Sequence, residues 1–142
     1  MNVLSAVGNT PLVKISDKLY AKLETYNPTG SIKDRIAYYI LSKAEWRKEI
    51  KPTDTIVEAT SGNTGIAFAM IGAVKGYKVQ IVMPCNMSEE RKQMMKIYGA
   101  EVIEVGPSDF KGAIQLREEM AAQDGYWSPR QFENLDNIEC HA

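Results

Sequence analysis

The sequence predicts an α/β fold: a four-stranded parallel sheet with helices on both faces, a Rossmann-like three-layer arrangement, preceded by a short N-terminal β segment. Three observations carry this expectation. From residue 55 onward, short runs rich in Val, Ile and Thr alternate with helix-length segments. Those helical segments are followed by Gly76, Gly99 and Gly125, the residue type that most readily takes the left-handed conformation past a helix end. A strand–helix–strand series rejoins one sheet through right-handed crossovers, which makes the strands parallel and covers the sheet with helices.

The elements follow in order. Pro11–Ile15 and Leu19–Glu24 are apolar/polar alternations around a Ser16-Asp17-Lys18 turn, and read as a β-hairpin or two short strands. Tyr26-Asn27-Pro28-Thr29-Gly30 is a turn cluster where the chain changes character. From Ser31 the period is helical: Ser31 is a candidate cap, and Asp34 stands three residues on, as in a capping box. This helix is expected to reach Lys48 and to stop before Pro52. Thr55–Ala59, Lys78–Met83, Glu101–Val105 and Tyr126–Ser128 are the expected parallel strands. Asn63–Lys75, a segment from Ser88 through Tyr98, and Asp109–Gln123 are the helices between them, Ser88 capping the second with Glu89 and Glu90 in its first turn. The expected organisation is a strand segment over residues 1–30 and an α/β unit over 31–142.

Composition narrows the function classes. A chain of 142 residues is sized for one domain, and 44% hydrophobic with 25% charged residues is globular rather than disordered. Scattered Lys and Arg, 17 against 18 Asp and Glu, leave a net charge of −1 and no electrostatic footprint for nucleic acid. No apolar stretch approaches the roughly 20 residues of a membrane span. The N-terminus lacks the basic-then-apolar pattern of a secretory signal, so a cytoplasmic location is expected. Cys85 and Cys140 lie far apart beside a single histidine, His141, so neither a zinc site nor a disulfide scaffold is expected.

Ligands of parallel sheets bind beyond the carboxyl ends of the strands, which directs attention to the loops after Ala59, Met83, Val105 and Ser128. The first of these, Thr60-Ser61-Gly62-Asn63-Thr64-Gly65, is an unbroken run of small and amide residues at a helix N-terminus, a setting that suits an anion. It is neither G-x-G-x-x-G nor a Walker A loop, which disfavours a nucleotide and leaves a small carboxylate. A tight strand-to-helix turn with a polar cap explains the same residues. Lys33 sits in the first turn of a helix, where the macrodipole opposes a cation, the kind of penalty that frees a nucleophilic amine. Taken singly, it reads equally as a snorkelling surface lysine. Asp34 and Arg35 read as a cap and a supporting charge, Met94 and Met95 as core, and Cys85 as structural. Gln131 follows the last strand, where a neutral amide can meet a ligand.

Taken together these segments resemble the fold-type II pyridoxal-phosphate enzymes, most closely the cysteine synthase (O-acetylserine sulfhydrylase) family. The matching stretches are Gly8-Asn9-Thr10-Pro11-Leu12, Asn27 to Arg35 (NPTGSIKDR), Glu58 to Ala67 (EATSGNTGIA), Met83-Pro84 with Met87-Ser88 and Glu90-Arg91, Tyr98-Gly99-Ala100-Glu101, and Gln131-Phe132. They occur in the family's order and cover nearly the whole chain. The resemblance implies that Lys33 holds pyridoxal 5'-phosphate as a Schiff base and acts as base. It implies that Asn63 touches the cofactor, and that Thr60, Ser61, Thr64 and Gln131, with Asn63 in the same loop, take the substrate carboxylate. The implied reaction is β-replacement: O-acetyl-L-serine and sulfide give L-cysteine and acetate.

Family members are about twice this length. The resemblance therefore implies that residues 1–30 pack in a larger domain and that the C-terminal half, with the loop cupping the cofactor phosphate, lies outside this chain. Strand edges left without partners favour a homodimer or other self-association. A serine acetyltransferase partner has no support in the sequence. Two other readings stand beside the synthase: a non-catalytic α/β binding or assembly module, and a sibling such as a serine/threonine dehydratase or cystathionine β-synthase.

Overall fold

The computed structural model describes residues 2–142. After a short 3-10 turn at Val3–Ala6, β1 (Leu12–Ser16) and β2 (Leu19–Lys22) form an antiparallel hairpin with a register shift between Lys14 and Ser16. This two-stranded ribbon stands apart from the main sheet, and every residue of β1 is exposed. The chain continues through α1 (Lys33–Arg47), β3 (Thr55–Ala59), α2 (Asn63–Lys75), β4 (Lys78–Pro84), α3 (Glu89–Ile97), β5 (Glu101–Val105), α4 (Phe110–Ala121), β6 (Tyr126–Trp127) and α5 (Asp136–Glu139).

The four main strands are parallel in the order β5-β4-β3-β6. The chain steps outward from β3 to β4 to β5 through α2 and α3, then α4 returns it past β3 to β6. Because crossovers are right-handed, reversing the direction of travel moves the helix to the opposite face. Two cores result. Ile56, Ile81 and Met83 pack with Ile36, Ile40 and Leu41 of α1 and with Phe68 and Ile71 of α2 on one face. On the other, Val57, Ala59 and Val82 meet Ala113, Leu116 and Met120 of α4. Each large side chain buried this way contributes about 1.5–3 kcal/mol. The reversal leaves the carboxyl end of β3 flanked by strands reached in opposite directions, the switch point at which such sheets open a crevice.

Helix α2 is apolar almost all round because it is covered on both sides, by the sheet and by α1 and α3. Its residues Thr64 through Gly72 are all buried. Gly72 lets it lie flat on β4: a Cβ there would stand 2.3 Å from Val79 Cγ2.

Several expected boundaries shift for local reasons. The first helix begins at Lys33 with Ile32 rather than Ser31 at its N-cap, although Ser31 Oγ still accepts from the Lys33 N–H at 3.2 Å. Asp34 does not close a capping box but turns back to accept from the Thr29 N–H at 2.7 Å and from its hydroxyl, tying down the preceding turn. Ser88 occupies the N-cap of α3 without a side-chain bond, whereas Asp109 caps α4 by accepting from Gly112 N at 2.8 Å. Strand β6 stops at Trp127, two residues before Pro129, which cannot donate to a ladder; beyond the strand the Ser128 hydroxyl accepts from Arg117 at 3.3 Å. Helix α5 has no counterpart in the sequence expectations. Asp136 at its start holds Arg47 of α1 through two bonds of 2.7 and 2.8 Å.

Candidate active site

A carboxylate network fixes the segment that carries Lys33. Glu24 accepts from Thr10 Oγ1 at 2.6 Å, Asn27 Nδ2 at 2.8 Å, and Arg35 Nε and Nη2 at 2.8 and 2.9 Å. The adjacent Arg35 guanidinium, followed by the Thr10 and Asn27 bonds, holds the Glu24 carboxyl down at about 2 against the cost of burial. Asn27 Oδ1 accepts from Gly8 N at 2.9 Å. The N-terminal turn, the 24–30 segment and the first turn of α1 are thereby one unit.

Lys33, half-buried at the first position of α1, opens on a cavity of about 470 Å³. Thr60 and Ser61 reach the same cavity from the loop after β3, Asn63 and Thr64 from the start of α2, and Gln131 from the loop after β6. The fold thus gathers all six residues named from the sequence at one place. Pro84, Phe110, Ile114 and Phe132 supply its apolar wall. Among the described residues, Lys33 Nζ has no hydrogen-bond or ion-pair partner, so its amine is free to meet a ligand.

The donor loop is partly committed to itself. Gly65 N and Ile66 N donate to the Gly62 carbonyl, at 3.0 and 3.3 Å, while the N–H groups of Asn63 and Thr64 open the helix with no carbonyl to meet. The Thr64 hydroxyl donates to Gln131 Oε1 at 2.7 Å, which links the loop to the residue after β6. Gly65 is required by close approach, since a Cβ would stand 2.7 Å from Met95 Cε and 2.9 Å from Thr60 Cγ2.

Two neighbours lie in the matching stretches but carry no assigned role in the sequence reading. Glu58, 1% exposed on β3, accepts from Ala59 N at 2.8 Å and Gln131 N at 3.0 Å. Burial pushes its carboxyl above the usual range, against the pull of those two donors and the Arg117 guanidinium. Its signal was a lone acid inside an otherwise apolar strand. Arg91, on α3, donates to the Ser61 carbonyl at 3.3 Å and covers Gly62; the sequence marks it only as part of the Glu90-Arg91 match. Cys85 and His141 are exposed, and Cys140 donates its thiol to the Asn137 carbonyl at 3.1 Å. Among the described residues no cluster of His, Cys, Asp and Glu could hold a metal ion, and no helix is long and apolar enough to cross a membrane.

Residues 3–142 match a known family, that of the pyridoxal-phosphate dependent enzymes. The chain belongs to the pyridoxal-phosphate dependent enzyme family. Within that family it is 48% identical to a cysteine synthase of Staphylococcus aureus (strain N315), across 99% of this chain and 48% of that protein. It is 48% identical to a cysteine synthase B of Pseudomonas syringae pv. syringae, across 98% of this chain and 87% of that protein. A crystal structure of cysteine synthase from Entamoeba histolytica superposes with a TM-score of 0.93 at 40% identity, covering 99% of this chain and 46% of that one. The chain spans about half the length of the S. aureus and E. histolytica proteins.

The family's cofactor can be tested against the residues present. The Lys33 amine without a partner among the described residues, the Asn63 amide and the apolar wall suit a heteroaromatic aldehyde, and the cavity is of ligand size. Lys33 is the lone cation in the lining among the described residues, so these residues fit the aldehyde and ring, while none of them offers the phosphate dianion a second charged partner.

Proposed function

We propose that this chain carries the lysine-bearing part of a pyridoxal-phosphate dependent cysteine synthase, converting O-acetyl-L-serine and sulfide to L-cysteine and acetate. The observation that supports it most is the partnerless Lys33 amine opening on the same cavity as the 60–64 donor loop and Gln131. Lys33 would hold the cofactor's aldehyde carbon, and Asn63 would hold the edge of its ring. Bound there, the cofactor supplies an electron sink for negative charge developing at the substrate Cα. The free N–H groups of Asn63 and Thr64, at the positive end of α2, would bind the substrate carboxylate with the Thr60 and Ser61 hydroxyls and the Gln131 amide. The Lys33 amine would be the group placed to take the Cα proton. The apolar wall would exclude water while acetate leaves and sulfide enters. Residues 1–30 and 31–142 would then belong to two different domains of the complete enzyme, which would work in the cytoplasm.

The test is spectroscopic. Purified chain titrated with pyridoxal phosphate is expected to gain a visible absorption band that survives gel filtration, and Lys33→Ala is expected to abolish it. An identical band in the variant overturns the assignment of Lys33. That Lys33 is the lone cation of the lining among the described residues favours a second reading, a binding module without turnover. That reading expects cofactor to be lost on gel filtration and no cysteine to form from O-acetylserine and sulfide.

A further inference from the structure

Glu58 is an expensive residue. A carboxylate 1% exposed, with no cation in ion-pair contact among the described residues, is tolerated in a core only when its oxygens are hydrogen-bonded. Here each oxygen accepts one backbone N–H, and the two donors belong to the two strand ends that build the site. Ala59 leads directly into the 60–65 loop, and Gln131 lies beyond β6. From Gln131 the connection continues through its side chain. Oε1 accepts the Thr64 hydroxyl at 2.7 Å, and Nε2 makes one long contact of 3.4 Å with the Ala59 carbonyl, leaving its second N–H unspent at the cavity. Asn137 Nδ2 holds the Gln131 carbonyl from the far side at 2.8 Å. The strand pairing gives little help in fixing this loop, because β6 meets β3 at only Thr55–Tyr126 and Ile56–Trp127.

We propose that Glu58 is a positioning residue of the site: its carboxylate fastens the Gln131 loop to the end of β3 and so sets the direction in which the Gln131 amide meets a substrate carboxylate. The proposal rests on the function assigned above for its final step only. Neither oxygen of Glu58 can be replaced by an NH2 group without setting donor against donor, so Glu58→Gln gives up one of the two anchors while keeping volume. Glu58→Met gives up both and leaves the Ala59 and Gln131 N–H groups without an acceptor, at a cost in stability that Glu58→Gln shares in part.

The experiment uses the 142-residue chain, isotope-labelled, in both variants. Amide exchange at Gln131 is expected to accelerate by about tenfold or more, as for loss of a hydrogen bond to a charged acceptor. The thermal midpoint is expected to fall, because buried N–H groups lose their acceptor, while exchange in β4 and α2 is expected to change far less than at Gln131. In cofactor-loaded protein, the concentration of O-acetylserine that half-saturates the spectral change is expected to rise in both variants, with the band of the unliganded form unmoved. Unchanged exchange at Gln131 overturns the proposal, as does a uniform acceleration across β3, β4 and α2 in both variants, which would make Glu58 merely structural. A wild-type chain that takes up no cofactor refutes the proposed function and not the positioning role, which the exchange data decide independently.

Discussion

Arg35 shows how a supporting charge can matter as much as the amine it supports. It does not line the cavity, yet its fork on Glu24 ties the N-terminal turn to the helix that starts with Lys33. Arg35→Ala is expected to cost about 2–3 kcal/mol in urea unfolding, since hydrogen bonds to charged groups are the strong ones. The acid side follows from linkage. Glu24 titrates at about 2 when folded against 4.5 for the ordinary side chain, so its contribution is fully present above pH 4.5 and drains away as pH falls toward 2. Unfolding midpoints measured down that range should converge between wild type and Arg35→Ala, because the interaction is lost in both. At this scale the sequence was half legible. Lys33, the 60–64 run and Gln131 stood out because their residue types are unusual for where they sit. Arg35 reads from the sequence as a supporting charge without its partner being evident, and Glu58 does not stand out, because what makes it matter is Gln131, far away in the chain.

Elements were more legible than their ends. Apolar periodicity placed each main strand and helix because burial of one face or both is what the chain gains by folding. Caps and terminal residues were set by competition among nearby polar groups, as when Asp34 served Thr29 in place of Ser31. Helix α5 escaped because a single turn carries no period; its position is held by the Arg47–Asp136 pair, which joins residues far apart in sequence. The contact of α2 with β4 gives a sharp test. Gly→Ala in a helix normally gains about 1 kcal/mol. At Gly72 the added methyl meets Val79 Cγ2 at 2.3 Å, and a β-branched side chain has few rotamers in which to retreat. Overpacking of about 1–3 kcal/mol should dominate, so Gly72→Ala is expected to lower the thermal midpoint, as calorimetry would show.

Over the whole molecule, the fold class was readable, while the strand order was not: alternation says that strands are parallel, not on which side of β3 the last one inserts. The hairpin of β1 and β2 stands outside both cores with Leu12 63% and Ile15 62% exposed. Exposed apolar side chains on an unpaired strand edge are a template for association. Sedimentation is expected to show concentration-dependent self-association that Ile15→Lys reduces; a monomer at all concentrations would contradict this. The brevity of β6 has a consequence for how the molecule assembles. The returning crossover must close a long loop, against conformational entropy, for the reward of a two-residue ladder. In a φ-value study, Trp127 should score near zero while Ile56 and Ile81 score high. The wall of the site that holds Gln131 would then be the last part to arrive during folding and the first to depart.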